Sequence, residues 1–230
     1  RPTPFGRDQS ARFGNEFAMP VMGNFDPPTA SGAGAPAGPV TVFLNGTAGP
    51  DTFTFAAGAD EGQWIVSLNG QTEIHYGSSI SVQLNGRGGQ DAIVLNGTAA
   101  ADKAVLWTGA AQLIGPNYNV VGVGEEIVVN GLGGPDKAYL KAQSSGDAFA
   151  GGPDSSVLSN NGLSSRVNGF GSVFAYGVAG DGDSAALEGS AGKDKFVAYP
   201  TASTLSGDGF YLRTEGFATV TARGNGGGDL

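Results

Sequence analysis

The chain is expected to be all-β, a parallel β-helix built from four repeats of about 46 residues. Three observations point there. Gly-rich turns ending in aspartate recur in NGRGGQDAIVL, NGLGGPDKAYL, YGVAGDGDSAAL and RGNGGGDL, placing Asp91, Asp136, Asp183 and Asp229 at intervals of 45, 47 and 46 residues. Asp102, Asp147 and Asp194 follow the first three by eleven residues each, in NGTAAADKAVL, KAQSSGDAFAG and EGSAGKDKFVA, and Asp51 in NGTAGPDTFTF is the earliest member of that series. Each turn opens a run with period-two alternation, the signature of a strand with one buried face.

Taken in order, residues 1–39 stand outside the repeat. The Pro/Gly/Ala tract from Pro27 to Pro39 reads as a linker. Phe5, Phe13 and Phe17 ahead of it make an arm too apolar to be wholly solvated. The repeats run 40–90, 91–135, 136–182 and 183–228, the first lengthened by AAGADEG at 56–62. Val42 and Leu44, Ile93 and Leu95, Ala138 and Leu140, and Ala185 and Leu187 hold matching inward positions, and the leucines are expected to form one ladder. Phe53, Ala104, Phe149 and Phe196 do the same after the companion turns. Leu68, Leu113, Leu158 and Leu205 recur further on, each followed by another apolar run, so each repeat carries about five short strands. Strands this short with one apolar face need stacked neighbours to be stable. A β-propeller-like array is the rival architecture, because its blades have similar length and four strands each.

Composition narrows the function. With 41 glycines and 12 prolines in 230 residues, helices are disfavoured. A net charge of −9 argues against nucleic acid as a partner, and no apolar run is long enough to insert into a membrane as a helix. The absence of cysteine excludes thiolate metal sites and fits an exported bacterial protein. His75, the single histidine, lies in the strand-like TEIHYG with no nucleophile motif, so no catalytic residue is assigned and the chain is expected not to be an enzyme.

NGTAGPDTFTF, NGRGGQDAIVL and EGSAGKDKFVA resemble the hemolysin-type, RTX-like Gly/Asp-rich repeats of large secreted and surface bacterial proteins. The whole unit is similar to repeats of giant surface proteins from environmental bacteria, over residues 40–230. That resemblance implies export, a β-solenoid and often bound calcium. The eleven-residue spacing differs from the nine-residue step of calcium-stacking repeats. Turn formation by Asp and Gly therefore ranks ahead of calcium, and no cofactor is required. If calcium binds, Asp181 and Asp183 in GDGD are the first candidates, then Asp136 and Asp147.

The leading expectation is a subunit of an extracellular filament, surface layer or adhesin at the cell surface. Val40 stands at the repeat phase of Asp91, and the array reaches the same phase at Asp229 and Leu230, so a second copy could continue the stack. Val40, Val42, Leu44, Asp229 and Leu230, with Phe5, Phe13 and Phe17 crossing the junction, are the expected contacts of a head-to-tail homopolymer. A calcium-dependent adhesion or glycan-binding module is the alternative, with Trp107 and Tyr139 expected on the outer face. A polysaccharide-processing β-helix enzyme ranks below both.

Overall fold

The computed structural model describes residues 38–230, and every regular element within them is a strand. Each repeat supplies five. The first holds β1 (Val40–Asn45), β2 (Thr52–Ala57), β3 (Gln63–Leu68), β4 (Gln71–Tyr76) and β5 (Ile80–Asn85). The second holds β6 (Ala92–Asn96), β7 (Lys103–Trp107), β8 (Ala110–Gly115), β9 (Tyr118–Val123) and β10 (Glu126–Asn130). The third holds β11 (Lys137–Lys141), β12 (Ala148–Gly151), β13 (Ser155–Asn160), β14 (Leu163–Asn168) and β15 (Ser172–Tyr176). The fourth holds β16 (Ser184–Glu188), β17 (Lys195–Ala198), β18 (Ala202–Gly207), β19 (Phe210–Glu215) and β20 (Thr219–Arg223).

These strands stack as a β-solenoid with two ten-stranded faces, not as a propeller. The first sheet runs β1-β5-β9-β8-β7-β11-β15-β19-β18-β17, and the second runs β4-β3-β2-β6-β10-β14-β13-β12-β16-β20. Within a repeat, a single strand crosses to the opposite sheet, three strands fold there as an antiparallel meander, and a single strand returns. The remaining pairings are parallel, as in β1 with β5 and β11 with β7. Tight turns make the meanders: Asn69 and Gly70 at φ 51° and 78°, and Asn161 and Gly162 at φ 47° and 84°, have the paired positive φ of a type I′ hairpin.

The chain changes sheet three times per repeat, counting the step into the next one, so successive repeats start in opposite sheets. This corrects the expected leucine ladder. Leu44 and Leu140 lie in the first sheet, whereas Leu95 and Leu187 lie in the second. Leu140 is instead flanked by Leu106 and Ala175, and Leu95 by Phe55 and Val129. Inward positions follow the alternation read from the sequence: Ile93, Leu95, Ala138 and Leu140 are wholly buried, while Leu44 on an edge strand is half-buried. Each such leucine contributes about 1.5–3 kcal/mol relative to exposure. Phe55 from the second sheet lies 5.3 Å from Tyr118 of the first, so one core spans both.

Candidate functional site

The aspartate turns form the corners where the chain changes sheet, and they are of two kinds. Corners ending at Asp51, Asp102, Asp147 and Asp194 precede a meander; those ending at Asp91, Asp136 and Asp183 precede a single strand, and the Asp229 corner has the same Gly-rich form. In the first kind the carboxylate closes its own loop. Oδ2 accepts the backbone N–H of Thr47 at 2.5 Å, Thr98 at 2.7 Å and Ser190 at 2.6 Å, and in the third copy those of Gln143 and Ser144 at 2.9 and 2.8 Å. In the second kind Oδ1 reaches across to the neighbouring corner. Asp91, Asp136, Asp183 and Asp229 accept the N–H of Asp51, Asp102, Asp147 and Asp194 at 2.9, 2.8, 2.9 and 3.1 Å. The corners thus stack in pairs, and apart from Asp229 the aspartates are buried.

This geometry explains the glycine of the Asn-Gly pairs. A Cβ at Gly46 or Gly131 would lie 2.5 Å from Oδ2 of its own corner aspartate, so glycine is required for close approach. Positive φ is needed further along, as at Gly134, whose Cβ would also press on the Ala100 carbonyl of the corner beneath.

Eleven residues apart in sequence, Asp136 and Asp147 do not face each other. Asp136 leads into β11 and Asp147 into β12 of the other sheet, so a five-residue strand of about 16 Å separates them. Asp136 is stacked on Asp102 instead. Asp147 and Asp183 do meet, and the Asp181 carbonyl at the same corner accepts Gly146 N–H at 3.2 Å and Ser145 Oγ–H at 2.7 Å. Among the described residues, no three acidic or imidazole groups converge as a metal-binding set. Asp136 Oδ2 and Asp147 Oδ1 are buried without a hydrogen-bond partner there.

Local partners set the electrostatics. Asp51 is held below the usual carboxylate range by the Asn69 side chain, at 2.6 Å, and by the Thr47 backbone. Burial pushes Asp136 up to about 6, with the Asp102 charge adding to it and the Asp102 N–H opposing it. Tyr118 donates to Asp102 Oδ1 at 2.6 Å, and burial with that contact raises its phenol.

Val40, Val42 and Leu44 lie on β1, at one edge of the first sheet. Asp229 and Leu230 lie at the other end of that same sheet. There Leu230 donates to Asp194 C=O at 3.0 Å and accepts from Phe196 N–H at 2.9 Å. Phe5, Phe13 and Phe17 fall outside the described residues. His75 sits on β4, with Nε2 3.2 Å from Glu73 Oε2.

Two features escaped the sequence reading. Asn96, Asn130 and Asn168 form a ladder, Asn130 Nδ2 donating to Asn96 Oδ1 at 2.8 Å and Asn168 Nδ2 to Asn130 Oδ1 at 2.9 Å. On the outer face of the first sheet, Lys103 and Lys137 lie directly opposite each other, with Tyr139, Lys141 and Trp107 beside them. Trp107 and Tyr139 face outward as expected. Of their lysine neighbours, Lys103 and Lys137 each follow a corner aspartate, and Lys141 closes the same strand as Lys137. Comparison with protein-family models, with curated proteins and with solved structures finds no match to this chain.

Proposed function

We propose that the chain is a non-enzymatic, exported structural subunit whose β-solenoids stack head to tail in a filament or surface layer of a bacterial cell. The observation that supports this most is the polarity of the open edges. β1 and β4 lie at one end, and β17 and β20 at the other. Following the parallel and antiparallel pairings through each sheet, β1 runs in the same direction as β17, and β4 in the same direction as β20. A second copy displaced along the axis without rotation would pair both sheets at once. Asp229 and Leu230 give the register in which β17 receives a strand. Among the described residues no further strand covers these edges, edges of this kind invite such pairing, and heterologous contacts that do not close produce filaments.

Electron microscopy and sedimentation of the full chain test this. Val40 and Gly46 donate inward to β5, so Phe43 has its backbone N–H on the open side; Phe196 donates to Leu230, so Ala198 does likewise. Phe43→Pro and Ala198→Pro should abolish assembly and leave the thermal melt within a few degrees of the parent. A parent that stays monomeric at high concentration would refute the proposal.

A calcium-dependent adhesion module is the second reading, supported by the buried Asp147–Asp183 corner with its unpartnered Asp147 Oδ1. A melting temperature lowered by ten degrees or more with EDTA, and restored by calcium, would favour it.

A further inference from the structure

We propose that the outer face of the first sheet binds an anionic polysaccharide through Lys103, Lys137 and Lys141, independently of how the ends assemble. The chain carries 21 acidic and 12 basic residues, yet three lysines gather here on two adjacent strands. Among the described residues, ion pairs form only at His75–Glu73 and Arg213–Glu215, so none of the three reaches a carboxylate. Lys103 and Lys137 are directly opposed across the β7–β11 pair, an arrangement that costs stability unless an anion lies between them.

Aromatic rings hold the ammonium groups in place. Lys103 Nζ sits over the Tyr139 ring at 5.4 Å, and Lys141 Nζ over Trp107 at 5.9 Å, so each strand lends its lysine to the other's aromatic residue. Ammonium groups already seated on rings lose little side-chain freedom when an anion arrives. Lys137 and Lys141 are four residues apart on β11, about 13 Å. An extended chain lying along β11 meets one anion point at Lys103 and Lys137 and another at Lys141. Two shallow hollows share Lys103 and Tyr139, giving the ligand relief to settle into.

The same geometry disfavours single-stranded nucleic acid, which needs open ring faces for its bases. One face of Tyr139 is taken by Lys103 and the other by Phe174, stacked at 5.2 Å and 14°. A uronate carboxylate and a glycan sulfate ester share the chemistry required.

The test is isothermal titration of the full chain at low ionic strength with hexagalacturonate and with a heparin hexasaccharide, against maltohexaose, hexaglutamate and hexathymidylate. One or both anionic glycans should bind, maltohexaose should not, and the Lys103→Gln/Lys137→Gln/Lys141→Gln variant should bind at least about tenfold more weakly with a melt no lower than the parent's. Binding by neither glycan, equal binding by hexaglutamate or hexathymidylate, or full affinity in the variant would overturn the proposal. Ala198→Pro should keep glycan binding, and the triple lysine variant should keep filaments, so either proposal can fail alone.

Discussion

The Asp51–Asp91 and Asp102–Asp136 corner pairs share one motif, yet the shifted carboxylate is the loop-closing Asp51 in the first, moved down, and the crossing Asp136 in the second, moved up. Asp51 receives Asn69 from the β3–β4 turn and is held more acidic. In the second pair Tyr118 of β9 bonds Asp102, and Asp136 is left with Oδ2 unpartnered and its carboxyl pushed up to about 6. A side chain from the meander supports the charge of Asp51, whereas burial without such a partner opposes that of Asp136. The two kinds of corner aspartate therefore need not share one electrostatic role.

The sharpest way to break this comparison is to delete the carboxylates. Asp102→Ala should cost about 3–5 kcal/mol in denaturant unfolding, since Thr98 N–H and the Tyr118 hydroxyl lose their acceptor in a buried place. Asp51→Ala should cost about half as much, because Asn69 can turn to water. Gly97→Ala should cost about 1–3 kcal/mol by driving a methyl group into the Asp102 carboxylate, whereas Gly88→Ala, whose Cβ meets nothing, should change stability by less than about 0.5 kcal/mol. Tyr118→Phe should cost about 1–2 kcal/mol by leaving Asp102 Oδ1 without a donor.

The pH dependence separates the pairs more gently. Because the folded-state value of Asp136 is raised, the folded chain holds that proton more tightly than the unfolded chain. Its contribution is therefore most favourable below the ordinary value of 3.8, falls as pH rises towards about 6, and is a full penalty above that. Asp51 behaves oppositely: its stabilisation is present above 3.8 and is lost as pH falls through its depressed folded value. Asp136→Asn should raise the melting temperature at pH 8 and make little difference at pH 4, while Asp51→Asn should lower it at pH 8. A small gain is expected at Leu132, exposed and held at φ 62°, where Leu132→Gly should add up to about 1 kcal/mol in chemical denaturation.

Most of the fold was legible because inward residues such as Ile93, Leu95 and Leu140 keep strict alternation, and the aspartates mark each repeat. The sheet to which each strand belongs was not legible from the period alone. Asn-Gly at 69–70 and 161–162 and Asp-Gly at 208–209 are hairpin signals, and weighing them against the longer Asp corners would have separated turns that stay in a sheet from turns that leave it. Without that step, Asp136 and Asp147 looked like a pair, and Lys103 and Lys137 looked unrelated. Stacking reverses both relations.

The odd count of sheet changes per repeat bears on how such a chain can grow by duplication. Copying one 46-residue unit turns its decorations to the opposite flank, so a surface mark reappears on the same side only after two units have been added. An even array can join its like by sliding alone, whereas an odd one must also make a half-turn at every joint. Under the proposed head-to-tail stacking, adding or losing a single unit would convert a straight ribbon into a twisted one, leaving every corner as it was.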